Sequence, residues 1–190
     1  VVVNMEDEGD LRSAADQVLT RFGRLDILIH CAALVGTSQL SGWAVPFGEQ
    51  DADTWRKALE VNLTAPFILT QACVKALAAS GDGSVINISS IYGVVGADPG
   101  LYEDTQMGGV PGAYAASKGG LVQWTRWLAA DLAPEIRVNT ISMGGVWRGQ
   151  HEAFHQRYKE RTPLKRMATE EDVKGAVVYL ASDLSLYVTG

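Results

Sequence analysis

RLDILIHCAA, residues 24–33, is nearly continuous in apolar side chains, the pattern of a parallel strand covered on both faces. Similar short β-branched runs recur outward from it as VVVN (1–4), SVINISS (84–90) and IRVNTIS (136–142). Helical periodicity fills the intervals. Leu11, Ala14 or Ala15, Val18 and Phe22 share one face of a helix over Asp10–Phe22. From Asp53, a good N-cap, TWRKALEVNLTAPFILTQACVKALAAS reads as one long helix, kinked or adjusted at Pro66. AYAASKGGLVQWTRWLAADLA (113–133) is another. Residues 150–161 form a short polar helix, and Thr169 with Asp172 opens a last one, EEDVKGAVVYLAS, by a capping-box-like pattern. The Gly- and Ser-rich stretch 34–50 and GDG at 81–83 are loops. Strand alternating with helix predicts an α/β fold with right-handed crossovers.

Bulk properties narrow the partners. The 190 residues are 47% hydrophobic and show no composition shift, so residues 1–190 are expected to form a single domain. A formal net charge of −6, with scattered basic residues, argues against nucleic acid or an anionic membrane and leaves small molecules. Cys31 and Cys73 are too few for a disulfide framework, there is no signal peptide, and no apolar run approaches membrane-spanning length. A reducing cytoplasm fits best.

In an open parallel sheet, ligands sit beyond the carboxyl ends of the strands, here at HCAA, SSIYG and SMGGV. A hydroxyl at Ser89 or Ser90 can face a tyrosine at the start of the next helix, although paired serines after a strand also serve as plain turn residues. In GAYAASKGG (112–120), Tyr114 and Lys118 stand four apart and can stack on one helix face. An ammonium near a phenol favours phenolate.

These pieces together resemble the short-chain dehydrogenase/reductase family. LDILIHCAA stands where the family has LDxLVNNAG, followed in the family's order by WRKALEVNLTAPF, GSVINISS, YAASKGG and, for IRVNAIxPGxV, IRVNTISMGGV. The resemblance implies a Rossmann-like doubly wound parallel sheet, three-layer α/β/α, incomplete at both ends. It implies hydride transfer between NAD or NADP, which are not distinguished, and a secondary alcohol or carbonyl. Tyr114 would carry the proton, Lys118 would lower its pKa and hold the cofactor ribose, and Ser90 would bind the substrate oxygen. Asn62 would help hold a water linking Lys118 to solvent. Cofactor contacts are expected at Asn4, Met5, Cys31, Ala32, Ala33, Tyr114, Lys118, Gly144, Gly145 and Val146, with no metal. A homodimer or homotetramer is expected through the two long helices, which Trp124 and Trp127 would join unless they are core.

Departures from the family pattern carry their own expectations. His30 and Cys31 replace two asparagines, and the strand position suggests a packed role for Cys31. Met143 replaces a proline and Arg148 a threonine. His151 and His155 have the spacing of a helical metal pair without an evident third ligand, which favours a polar lid helix. The insertion ADPGLYEDTQMGGV (97–110) lies at the substrate mouth and resembles that of sugar-associated members, making Tyr102, Glu103, Arg148 and Arg157 candidates for meeting a polar, acidic substrate. In the family's sheet order, 3-2-1-4-5-6-7, VVVN would be strand 3 and RLDILI strand 4, with strands 1 and 2 and the glycine-rich phosphate loop missing. The expectation is a piece of a chain of about 250 residues. Two other functions compete: a silent scaffold, and a cofactor-free lyase such as halohydrin dehalogenases, which use Arg where Lys118 stands.

Overall fold

A computed structural model describes all residues, 1–190. Three parallel strands, β1 (Ile27–His30), β2 (Gly83–Ile88) and β3 (Ile136–Ile141), pair in that order, with Leu28 opposite Val85 and Val85 opposite Val138. The expected crossover helices are present: α1 (Glu8–Phe22), α2 (Ala52–Leu59), α3 (Ala65–Ala79), α4 (Gly112–Leu132), α5 (Glu152–Arg161) and α6 (Glu170–Leu180). Val85 and Val138 turn toward Leu77 of α3 and Leu128 and Ala129 of α4, and with Ala15, Cys73 and Ile136 they form the main core. Each such large side chain taken from water stabilises the fold by roughly 1.5–3 kcal/mol. On the other face of the sheet, Ser84 donates to the carbonyl of Leu180 at 3.0 Å, which seats α6 as the third layer.

Local physics accounts for the helix boundaries. Asp51, rather than Asp53, caps α2, accepting from the amides of Asp53 and Thr54. The capping box at Thr169 and Asp172 is present, and Arg166 adds a two-pronged pair to the same carboxylate. The long helix does not run straight through Pro66. Proline has no N–H to offer the carbonyl of Asn62 four residues back, and its ring crowds that carbonyl. The ladder therefore slips into a π-helical turn over Glu60–Thr64, closed by the Ala65 amide on the Glu60 carbonyl. By length and composition Ala52–Ala79 could cross a membrane, contrary to the sequence expectation, but here it packs against α1 and α4.

Three further expectations need correction. VVVN is not a strand: β1 pairs only with β2, so residues 1–4 have no ladder to join, and Val3 and Met5 instead pack on Leu11, Ala65 and Ile68. The strand β1 is not covered on both faces. Leu28 joins the main core, whereas Ile27 and Ile29 are partly exposed because α6 lies over β2 and β3 only. Cys31 is exposed rather than packed, while Cys73 is buried.

His30 points the opposite way from Cys31 and is buried against α3, with Nε2 2.8 Å from the Thr70 hydroxyl. Burial pushes its pKa down to about 4. The unfolded chain therefore takes up the proton first, so stability from this group is complete above about pH 6.5 and is lost as pH falls toward 4. The full loss is on the order of 3 kcal/mol. Urea unfolding at pH 7 and pH 4.5 should show a larger loss in the wild type than in His30→Asn; equal losses would contradict a buried neutral imidazole.

Candidate active site

The carboxyl end of β2 meets the first two turns of α4. Ile88, Ser89 and Ser90 leave the strand, and a 3-10 turn, Ile91–Gly93, brings the chain back against the helix. Ser90 Oγ accepts from the Tyr92 amide at 3.2 Å, which fixes the serine rotamer at the head of this turn. The turn touches α4 so closely that a Cβ on Gly93 would lie 2.7 Å from the Lys118 carbonyl, so no larger residue fits without displacing the helix. Gly120 meets the same constraint on the far side, where its Cβ would come within 2.9 Å of Leu63 in the π-turn. The small residues of GAYAASKGG thus let the helix approach both neighbours.

Lys118 is 4% exposed, yet no carboxylate lies within ion-pair distance of it. Its ammonium donates to the carbonyl of Ile88 at 2.7 Å and sits 5.8 Å from the centroid of the Tyr114 ring. Burial pulls its pKa down to about 8, a shift that the nearby Cys31 thiol opposes. Tyr114 is half-buried beside Trp43, Ala58 and Ala113. Burial pushes its phenol up from the usual value, and a hydrogen bond from Ser90 opposes that rise. Desolvation is the largest influence on both groups and moves each toward its neutral state.

Asn62, 1% exposed, lies in the π-turn and ties three segments together. Its amide donates to the Leu34 carbonyl at 3.0 Å and to Ser117 Oγ at 3.1 Å, and its oxygen accepts from the Leu34 amide at 2.7 Å. The side chain is therefore committed to the protein. The bond to Leu34 also holds the segment after β1, which begins with Cys31 near Lys118.

Not every expected cofactor contact joins this group. Asn4 folds back on α1, accepting from Glu6, and Met5 packs on the Leu11–Ala65–Ile68 cluster. Gly144, Gly145 and Val146 follow β3, whose end lies beside the site because the Ile91 amide donates to the Met143 carbonyl at 2.9 Å. Gly145 is already engaged at both its amide and its carbonyl, the latter accepting from the Ala168 amide at 3.0 Å. Tyr158 Oη accepts from the Gly145 amide at 2.6 Å, and Val146 bridges to Ala168.

The insertion 97–110 and α5 form the cover. Leu101, Phe154 and Met167 make a small core, and Asp98 pairs with Arg161 at 2.6 Å. Arg157 bonds the Glu103 carbonyl and pairs with Asp104 at 3.5 Å, and Arg148 pairs with Glu170 at 3.0 Å. Both arginines thus have partners within the chain, in solvent-accessible ion pairs, which are weak. Tyr102 remains, its hydroxyl 3.3 Å from that of Tyr92. His151 caps α5 and His155 stacks on Trp147 at 4.0 Å, so the histidine pair serves the lid helix. Sequence reasoning missed Tyr92, Tyr158, Ser117 and the contacts of Ser89 and Gly93. Only SSIYG carried a local signal for any of them, a glycine three residues after the serine.

A family model described as enoyl-(acyl carrier protein) reductase matches residues 1–190. The 3-oxoacyl-(acyl-carrier-protein) reductase of Thermotoga maritima is 32% identical across the whole chain, which spans 72% of that protein. Trans-4-hydroxycyclohexanecarboxylate dehydrogenase of Sinomonas cyclohexanicum is 34% identical, again across the whole chain and 66% of that protein. A short-chain dehydrogenase from Leptospira borgpetersenii, solved with bound NAD+, superposes with a TM-score of 0.87 at 32% identity, over all of this chain and 70% of that one. With a full-length family match, these identities and the shared parallel sheet, the chain belongs to the short-chain dehydrogenase/reductase family.

Proposed function

We propose that the chain, acting as one domain, transfers a hydride between NAD or NADP and a secondary alcohol or its carbonyl, with Tyr114 as general acid and base. Family membership makes it an NAD(P)-dependent oxidoreductase; the substrate class and residue roles are our reading. The observation that carries it is the convergence of Ser90, Tyr114 and a buried Lys118 without a carboxylate at the end of β2.

The residues present fit the ribose end of the cofactor. A lysine ammonium has three N–H donors, and Ile88 takes one, leaving two for the ribose hydroxyls. Cys31, Ala32 and Ala33 would line the same side. The bound nicotinamide supplies or accepts the hydride. Ser90 would hold the reacting oxygen while Tyr114 moves the proton on it. With its phenol raised, Tyr114 is protonated at neutral pH and ready to donate to a carbonyl. In the alcohol-oxidising direction, the Lys118 charge would favour the phenolate that accepts the proton. A water held at the π-turn beside Asn62 would connect Lys118 to solvent.

The paired hydroxyls of Tyr92 and of Tyr102 in the insertion favour a hydroxylated, sugar-related substrate. The exposed Cys31 thiol suits a reducing cytoplasm. The groove of Leu63, Thr64, Phe67, Gly120 and Trp124, flanked by exposed Trp127, is assigned to a second copy of this chain. Its apolar aromatic lining lies on α3 and α4, the pair the family resemblance places at the dimer contact.

Tyr114→Phe should lower turnover by roughly a hundredfold or more while cofactor affinity and thermal stability stay near wild type, as steady-state kinetics and cofactor fluorescence would show. Retention of most activity would overturn the assignment. Sedimentation velocity should give half the wild-type mass, or a quarter for a tetramer split fully, for Phe67→Glu. An unchanged mass would place the interface elsewhere.

A further inference from the structure

We propose that Ser89 is a positioning residue for Lys118: its buried hydroxyl donates to the Lys118 backbone carbonyl at 2.9 Å and fixes the turn of α4 from which the ammonium is presented. The inference rests on the role given to Lys118 above. Three successive residues leaving β2 hold successive parts of the site. The Ile88 carbonyl takes the ammonium at 2.7 Å, Ser89 takes the backbone of the same lysine, and Ser90 lies beside the Tyr114 phenol. Ser89 is itself held from behind, because its amide donates to the Ile141 carbonyl at 2.9 Å and so follows the register of β3.

The opposite side of the same peptide is closed by Gly93. A Cβ there would lie 2.7 Å from the Lys118 carbonyl carbon and oxygen and 3.0 Å from the Gly119 nitrogen. The 118–119 peptide is therefore seated between a directional bond and a steric stop. That seating matters because the ammonium makes one hydrogen bond at the end of a four-carbon stem. A small slide of the helix would lengthen that bond and let water reach the nitrogen. A carbonyl accepts two hydrogen bonds, so removing the Ser89 hydroxyl leaves the helical bond of Lys118 in place and the fold intact.

The test uses the full chain labelled with 13C-lysine, following the Lys118 side-chain resonance against pH and assigning it by its disappearance in Lys118→Arg. Ser89→Ala should raise the Lys118 titration midpoint by at least about half a unit toward the free-lysine value. Ser89→Thr, which keeps the hydroxyl, should hold the wild-type midpoint. A folded Ser89→Ala protein with an unchanged midpoint would overturn the proposal. Should Ser89→Ala not fold, Ser89→Cys, close in size and a weak donor, is judged by the same criterion. Neither cofactor nor substrate enters this measurement. A shifted midpoint beside an active Tyr114→Phe enzyme would reject the catalytic reading and keep Ser89, and the reverse pair of results would do the opposite.

Discussion

A lysine ammonium with no carboxylate partner, buried to 4% exposure, is the constraint around which the end of this sheet is organised. Removing a charge from water costs several kcal/mol unless other groups replace its hydration. Here a single backbone carbonyl, that of Ile88, replaces part of it, and the face of the Tyr114 ring lies within cation–π range. The lowered Lys118 pKa and the raised Tyr114 pKa are two readings of the same dry environment. A fold selected for stability alone would place methionine or leucine at such a position.

Much of the surrounding architecture follows from getting helix α4 close enough to β2 for this contact. Gly93 and Gly120 remove side chains where the Ile91–Gly93 turn and Leu63 press on the helix. The π-turn that holds Asn62 is the consequence of Pro66 and places an amide where it can bond both Leu34 and Ser117. The segment after β1 and the long helix are thereby held against α4 by one buried side chain. Above them the insertion and α5 are bonded to each other through Arg161 and Asp98 and share the Leu101–Phe154–Met167 core, so they cover the site as one unit.

What could be read in the sequence was what local rules determine. The strand within the apolar run at 25–33, the capping residues Thr169 and Asp172, and the spacing of Tyr114 and Lys118 depend on near neighbours, and the structure contains the strand, the capping box and the side-by-side pair. The failures share a different cause. VVVN has strand composition, but a strand exists only where another accepts its hydrogen bonds, and that partner cannot be read from four residues. Cys31 and His30 are adjacent, and which of them faces α3 depends on the β1 register with β2. The partners of Arg148 and Arg157, Glu170 and Asp104, are distant in sequence and equally illegible there. The direction of the Tyr114 shift also depends on burial, which the Tyr–Lys spacing does not reveal.

On the proposed reading, Lys118 is kept for chemistry at a cost in stability. Urea unfolding of Lys118→Met at pH 7, with NADH and NADPH titrations on the same samples, tests it most directly. The variant should be more stable than wild type by about 1–3 kcal/mol, because an unpaired buried charge has been replaced by an apolar chain of similar length, and should lose cofactor affinity. A variant that is less stable than wild type and binds the nucleotide equally well would show that the lysine serves the fold rather than the site.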